Sequence, residues 1–320
     1  MKQTLSILSV LLVAQLGLAV GLNFTGQSLD AFEPTGKLLA AQPDAIDRVK
    51  IRDQDGKTVE LAKKDDKWVI AGAGDFPVAK DKADKFVKEL TKQSKGWPVA
   101  TSSDAIERFK VDDDKFEAEI SLFSKDDETG KLYLGTSPSY RYVHARPDGD
   151  DNVYSIAFDH YEASAKAKDW EDKTFLNLAA ADITRTDFPG FVLERDKDDK
   201  VTLKGIKAKE KLDEQKAKDV VTLVANLSFD EVLGTEAKDD YGLKTPKLKF
   251  SAKLKDGKQI DYVLGKMKEG EDYVLKASSH PYYFKIAKWS AERFLDKKRA
   301  GLLVEEKAKD KKEDGKNNGS

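Results

Sequence analysis

The stretch KDDKWVIAG at residues 64–72 returns later in the chain as KDDKVTLKG at residues 197–205. One such match could arise by chance in a chain rich in Lys and Asp. Further matches lie in the same order in both halves: IDR at 46–48 with ITR at 183–185, LYLG at 132–135 with YVLG at 262–265, YV at 142–143 with YV at 273–274, and DK at 172–173 with DK at 296–297. The period is far longer than that of solenoid repeats, so the sequence predicts a duplicated domain.

Each copy also carries one amphipathic helix at the same place in the order. The segments are VAKDKADKFVKEL at 78–90 and LDEQKAKDVVTLV at 212–224. Apolar residues spaced i, i+3, i+4 and i+7 form one stripe on a helix. The stripes consist of Ala83, Phe86, Val87 and Leu90 in the first copy, and Ala217, Val220, Val221 and Val224 in the second.

Short segments of alternating apolar and polar residues surround each helix, as in half-buried strands. In the first copy they are RVKIRD (48–53), TVELAKK (58–64), KWVIAG (67–72), FEAEISLFS (116–124), KLYLGT (131–136), YRYVHARP (140–147) and NVYSIAF (152–158). Asp55-Gly56 and Asp256-Gly257 are favoured hairpin turns, and a short helix is expected over 160–168. Because strands come in runs, the pattern predicts an α+β fold: two tandem duplicated domains of mainly antiparallel sheet, each with one or two amphipathic helices.

The amino terminus carries an uncharged segment, LSILSVLLVAQLGLAVGL at 5–22, preceded only by the charge of Lys2. As a helix it would be about 27 Å long, close to the ~30 Å of a hydrocarbon core. It predicts either a retained single-span anchor or a cleaved signal peptide with a small-x-small site at Gly17-Leu18-Ala19. The predicted organisation is an anchor or signal peptide at 1–24, a spacer at 25–43, α+β domains at 44–178 and 179–303, and a disordered charged tail at 304–320.

Composition argues against several kinds of function. The 320 residues include 56 Lys and Arg against 58 Asp and Glu, so the chain lacks the basic surplus that nucleic-acid binding needs. The absence of cysteine excludes disulfides, thiolate metal sites and cysteine nucleophiles.

No pattern of catalytic or metal-binding residues emerges either. The three histidines, His144, His160 and His280, have no metal-ligand spacing, and the acidic turn DGDDN at 148–152 does not fit a calcium loop. A phosphate-binding glycine loop and a nucleophile elbow are both missing. The sequence therefore predicts a protein that is not an enzyme and has no cofactor, no metal and no catalytic residue.

Two aromatic segments, SYRYVHARP at 139–147 and SSHPYYFKIAKW at 278–289, are the richest surface candidates. If the first is a strand, Tyr140, Tyr142 and His144 share one face, and Arg141 and Val143 the other. Tyrosine and arginine are frequent anchors of protein interfaces, although packing of these rings against the fold is the favoured interpretation. The candidate interaction surface consists of Tyr140, Arg141, Tyr142, His144, His280, Tyr282 and Tyr283.

These features together resemble a bacterial family known as domain of unknown function 4340. The matching motifs are the IDRVKI opening at 46–51, the DGKTVEL hairpin at 55–61, the DDKWVI strand at 65–70, Tyr241-Gly242-Leu243 followed by Pro246, and Leu264-Gly265. The first copy departs from this pattern at Phe109-Lys110-Val111. The family has no assigned activity. Some similar proteins are encoded beside ABC transporter components of the gliding-motility auxiliary type, which implies a membrane-side accessory role.

The sequence thus favours a non-enzymatic, membrane-anchored interaction or scaffold protein, single-pass in the inner membrane with its bulk on the periplasmic side. Its expected partners are the membrane and transporter components. One alternative is a secreted or anchored module that binds a glycan or small ligand in a cleft between the halves. A carboxylate-based hydrolase is a third alternative, which the abundance of acids neither supports nor excludes.

Overall fold

The computed structural model of the protein describes residues 36–304, together with Leu12 and Gln15. The predicted anchor at 1–24 lies outside the described residues except at those two positions, as do residues 25–35 of the spacer and 305–320 of the tail. Within the described part, no helix is long and apolar enough to cross a membrane.

Two antiparallel sheets of eight strands dominate the structure, and helices are few. The first sheet contains β1 (Arg48–Asp53), β2 (Thr58–Lys64), β3 (Lys67–Ile70), β4 (Phe76–Pro77), β5 (Ala118–Ser124), β6 (Asp127–Leu134), β7 (Val143–Pro147) and β8 (Tyr154–Ile156). The second contains β9 (Ile183–Phe188), β10 (Phe191–Arg195), β11 (Val201–Leu203), β12 (Glu231–Val232), β13 (Leu248–Leu254), β14 (Gln259–Lys266), β15 (Tyr273–Ala277) and β16 (Tyr283–Ile286). The helices are α1 (Lys82–Thr91), α2 (Ser103–Arg108), α3 (Glu214–Ala225) and α4 (Lys288–Leu295). The mainly antiparallel α+β class is confirmed.

The chain divides into two compact units. Among the described residues, the first includes 36–66 and 81–166, and the second 67–80 and 167–304. The short segment Lys67–Lys80 thus belongs with the second unit, although it precedes most of the first in the chain. The predicted domain boundaries, drawn from the repeat, stay a prediction.

In the first unit, strands follow the order β2-β1-β5-β6-β7-β8, and each neighbouring pair is antiparallel. The hairpin predicted at Asp55-Gly56 is confirmed, because β1 pairs with β2 and Gly56 has a φ of 78°. Val49 and Ile51 of β1 are fully buried, as the period-2 pattern requires. Burial of each such side chain stabilises the fold by about 1.5–3 kcal/mol. The predicted stripe of α1 is also buried, at Ala83, Phe86, Val87 and Leu90.

In the second unit, the order is β11-β10-β9-β13-β14-β15-β16-β12. The side chain of Asp213 caps α3 by accepting hydrogen bonds from the amides of Gln215 and Lys216, two donors that the helix itself leaves unpaired. The predicted stripe of α3 is buried, at Ala217, Val220, Val221 and Val224. Along β10, β9, β13, β14, β15 and β16, the order and the place of the helix repeat those of the first unit, which is consistent with duplication.

The segment Lys67–Lys80 contributes an aromatic residue to the core of the second unit. Phe76 is fully buried there. Its ring lies 4.7 Å from Phe175, 5.8 Å from Phe229, 5.0 Å from Tyr282 and 6.1 Å from Phe284, in edge-to-face geometry. Such contacts add about 0.5–1.5 kcal/mol per pair beyond burial, so β4 is firmly held in this unit.

The duplicated motifs have the same structural role in both units: a loop lies directly against the end of a strand. A Cβ on Gly265 would overlap the carbonyl oxygen of Tyr241, and a Cβ on Gly135 would overlap that of Phe109. Gly242 has a φ of 67°, and Lys110 has a φ of 56°. The first copy therefore keeps the left-handed conformation at Lys110, although it lacks the glycine that favours it.

The prediction of one short helix over 160–168 is wrong. Two separate 3-10 turns occur instead, at His160–Glu162 and Ala167–Asp169. The side chain of Asp159 accepts a hydrogen bond from the amide of Tyr161 and starts the first turn. Ala163 then leaves the helical region, with φ −90° and ψ 48°, so no α-helix continues from it.

Candidate interaction surface

The connection between β6 and β7 ends in a tight turn. Beyond β6, the amide of Gly135 donates to the carbonyl of His144 and the amide of His144 donates to that of Thr136, each at 2.9 Å, so the ladder continues past the strand end. At the tip, the amide of Tyr142 donates to the carbonyl of Ser139 at 3.1 Å. Residues 139–142, Ser-Tyr-Arg-Tyr, are called the Tyr–Arg turn below. Its backbone is anchored on a rigid sheet.

Arg141 adopts a left-handed backbone conformation within this turn, with φ 57°. Among the described residues, eight non-glycine residues have positive φ, and five of them are aspartates, a type that tolerates this region. Arginine does not, and the conformation costs about 1–2 kcal/mol. Strained residues of this kind are concentrated at functional sites.

The turn presents aromatic and cationic side chains to solvent. Tyr140 is 81% exposed and Tyr142 is 46% exposed. The Arg141 guanidinium carbon lies 5.2 Å from the centre of the Tyr140 ring, within cation–π range. Two tyrosines and an arginine on a preformed turn match the composition of interface anchors, which lose little conformational entropy on binding.

The sequence prediction placed Tyr140, Tyr142 and His144 on one face of a strand, and the structure corrects it. The strand β7 begins only at Val143, because Tyr140 and Arg141 form the turn. His144 is 7% exposed. It is therefore an internal residue of the sheet, and it does not share the solvent-facing side of Tyr140.

His144 stabilises the start of the connection that leads to the Tyr–Arg turn. Its ring stacks on Phe109 at 4.1 Å, and Nδ1 lies 2.9 Å from the Thr136 hydroxyl. Burial lowers the pKa of His144, so its imidazole is neutral at pH 7. A neutral, stacked imidazole holds Thr136 and thereby the start of the connection that leads to the turn.

A further exposed tyrosine lies near this connection, and sequence reasoning missed it. The Ser137 hydroxyl is 3.2 Å from Nδ1 of His160, whose ring lies 3.9 Å from that of Tyr161. Tyr161 is 80% exposed. Only the fold brings residues 160–161 beside residue 137, so no local signal in the sequence could have identified them.

The predicted residues of the second copy lie in the second unit and take part in packing. The His280 ring lies 4.4 Å from that of Phe175, tilted by 46°. The Tyr282 hydroxyl donates to the Asp75 carbonyl at 3.2 Å, and its ring is part of the cluster around Phe76. The Tyr283 ring lies 5.3 Å from that of Tyr241. Burial lowers the pKa of His280 and raises that of Tyr282. These three side chains are half-buried, unlike those of the Tyr–Arg turn.

Two acidic residues of the first unit, Asp113 and Asp150, are engaged in ion pairs. Asp113 pairs with the guanidinium of Arg146. Asp150 accepts from Nζ of Lys95 at 2.7 Å and from the amide of Asn152 at 3.0 Å. Burial would raise the pKa of Asp150, but these hydrogen bonds outweigh it and lower that pKa to about 2. In residues 36–304, no group of three or more histidines and acids is placed to hold a metal ion.

Comparison with known proteins gives one match. A family model described as Domain of unknown function (DUF4340) matches residues 68–246, more than half of the chain, and confirms the resemblance. The matched range includes the Tyr–Arg turn and Gly242. No curated protein and no solved structure matches significantly.

Proposed function

The chain belongs to the family described as Domain of unknown function (DUF4340), and we propose that it is a non-enzymatic interaction protein that docks on another protein through the Tyr–Arg turn. The observation that carries the proposal is the exposure of Tyr140 and Arg141 on a strained turn whose backbone is fixed by the sheet. A fold gains nothing in core packing from a tyrosine that is 81% exposed. A binding surface does gain from it, because rigid aromatic side chains supply contact area at low entropic cost.

The proposed location is the periplasmic side of the inner membrane, with residues 1–24 as a single-pass anchor. The support is the uncharged segment at 5–22 behind Lys2, which favours a cytoplasmic amino terminus. The proposed partner class is a membrane protein assembly of the ABC transporter type, which comes from the family resemblance. A partner in the membrane would meet the anchored protein at high local concentration, so a small docking surface would suffice.

The test is purification of the full-length protein from its own membranes in mild detergent, followed by quantification of the proteins that accompany it. A specific partner is expected in near-stoichiometric amount. Tyr140→Ala should weaken its capture by about thirtyfold, the effect of losing a ~2 kcal/mol interface anchor.

The matched control is Trp289→Ala, which removes another exposed aromatic side chain, one that is 63% exposed on α4 of the second unit. It should leave capture unchanged. Equal loss with both variants would point to general adhesion by exposed aromatics and contradict the proposed surface. Turnover of a defined substrate that one side-chain change abolishes would contradict the non-enzymatic proposal.

A further inference from the structure

A second surface, independent of the Tyr–Arg turn, lies in the second unit where the loop of Gly242 meets the end of β14. An open cleft of about 370 Å³ occurs there. Four lysines and a single aspartate line it together with Gly242 and Thr245: Lys244, Lys247, Lys266, Lys268 and Asp239. We call it the lysine cleft. The lining therefore carries a surplus of positive charge.

The cleft is built on a rigid backbone. A Cβ on Gly242 would overlap the carbonyl oxygen of Lys266, so the loop and the strand end are in direct contact. The amide of Lys268 donates to the carbonyl of Asp240 at 3.0 Å, and that of Lys247 donates to Leu264 at 2.8 Å. Lysines from two segments are therefore held around one space by main-chain contacts.

Intramolecular partners neutralise only part of this charge. Lys244 pairs with Asp239 at 2.7 Å, and Nζ of Lys266 donates to the carbonyl of Gly270 at 3.1 Å. The side chains of Lys247 and Lys268 make no hydrogen bond or ion pair with any residue of 36–304. The pKa of Asp239 is lowered first by its hydrogen bond with Lys244 and further by the charge of Lys268, so Lys268 is partly balanced at longer range. Uncompensated like charges around one cleft repel each other, and a bound anion would remove that repulsion.

The first copy provides an internal comparison. Alignment on Phe109-Lys110-Val111 and Tyr241-Gly242-Leu243 places the acidic run at 112–114 opposite residues 244–246, and Thr136 opposite Lys266. The same loop-on-strand packing is present in that copy, where the carbonyl of Phe109 accepts from Thr136 at 2.9 Å. The packing therefore forms with an acidic loop as well as with a basic one. The fold therefore does not require lysine at the positions of Lys244 and Lys266, whereas Lys115 stands opposite Lys247.

We propose that the lysine cleft binds the phosphate group of a small anionic ligand, either a soluble phosphate ester or a lipid headgroup. Lysine binds phosphate as a point charge that needs no planar partner. The volume lies within the range of small-molecule sites. The Thr245 hydroxyl adds a neutral donor at the rim.

The experiment is calorimetric titration of the full-length protein with inorganic pyrophosphate and, separately, with dihexanoyl phosphatidic acid below its micelle concentration. At about 20 mM salt, where screening is weak, both probes are expected to bind. The double variant Lys247→Glu with Lys268→Glu should weaken binding by at least about tenfold, because two attractions become two repulsions. The neutral variant Lys247→Gln with Lys268→Gln should give an intermediate loss.

The matched control carries Lys253→Glu and Lys255→Glu, which make the same change in net charge at exposed positions outside the cleft. At about 150 mM salt, where the Debye length is about 8 Å, binding by this control should stay within about twofold of the unmodified protein, since exposed charges beyond a Debye length are screened. Thermal unfolding of every variant checks that the fold is intact.

Tighter binding of the lipid through the same lysines would identify a headgroup as the ligand, and tighter binding of pyrophosphate a soluble phosphate. Either result supports the proposal that the lysine cleft binds a phosphate group. Failure of both probes to bind, or equal weakening in the control variant, would overturn it. None of these outcomes depends on partner capture by Tyr140.

Discussion

Gly242→Ala should destabilise the second unit by about 2–5 kcal/mol. The first contribution is conformational. Gly242 has a φ of 67°, and an L-residue with a side chain loses about 1–2 kcal/mol there. The second is steric, because the new Cβ would overlap the Lys266 carbonyl oxygen and lie 3.0 Å from its carbonyl carbon and 3.1 Å from its nitrogen. Lys266 pairs with Tyr273 of β15, so its backbone moves only by disturbing the ladder. Overpacking of this kind costs about 1–3 kcal/mol.

The matched control is Gly270→Ala. Gly270 has a φ of 75°, and a Cβ there meets nothing within 4 Å. It should therefore lose only the conformational contribution, about 1–2 kcal/mol. The difference between the two variants isolates the close contact between the loop of Gly242 and the end of β14.

Hydrogen exchange read by mass spectrometry suits this comparison, because a two-unit chain does not guarantee two-state unfolding. Peptides from β14 and β15 should exchange faster in Gly242→Ala than in Gly270→Ala, whereas peptides from β5 and β6 of the first unit should not change. Equal exchange in the two variants would refute the steric reasoning. The destabilisation by Gly242→Ala would then come from the backbone conformation alone.

Two further predictions concern the first unit. Arg141→Gly removes the strain of a left-handed backbone and should stabilise the fold by about 0.5–1 kcal/mol in urea unfolding, because glycine's larger unfolded-state entropy offsets part of the gain. The same variant should weaken partner capture. A loss of stability would contradict the turn geometry. Asp150→Asn should destabilise the protein at pH 7 by roughly 1–2 kcal/mol, because the pKa of Asp150 is lowered to about 2 and its stabilisation is present above the unfolded-state pKa. That stabilisation is lost as the pH falls toward 2, so the difference between the variant and the unmodified protein should shrink by about half near pH 3 in denaturant titrations, and a difference that grows in acid would have the wrong sign.

The amphipathic helices and the hairpin turns could be predicted from the sequence, because their patterns involve only neighbouring residues. Ala83, Phe86 and Leu90 share a helix face by spacing alone, and they are buried. Asp256-Gly257 predicts a hairpin, and Gly257 has a φ of 85° between the paired strands β13 and β14. Neither result depends on distant residues.

Which unit a segment packs into could not be predicted, because it depends on contacts between residues far apart in the chain. Phe76 follows a strand of the first repeat, yet its ring partners include Phe175 and Phe284. Nothing in the local sequence indicates that Phe76 packs against those residues. The same limit explains why residues 67–80 were not expected to group with the second unit.

The candidate surface was predicted in part. Aromatic composition indicated Tyr140 and Tyr142, but alternation along a strand was extended too far, because nothing in the sequence signals the left-handed backbone of Arg141. Tyr161 lies near the turn through the contact of Ser137 with His160, which only the fold creates. His280 carries the same composition signal as His144, and packing decides the role of both.

The most direct test of the proposed interaction function is photo-crosslinking in native membranes, with benzoylphenylalanine in place of Tyr140 and, in a second strain, in place of Trp289. A discrete adduct with one partner protein is expected from position 140 and none from position 289. No adduct at position 140, or the same products from both positions, would contradict the proposal that the Tyr–Arg turn is a docking surface.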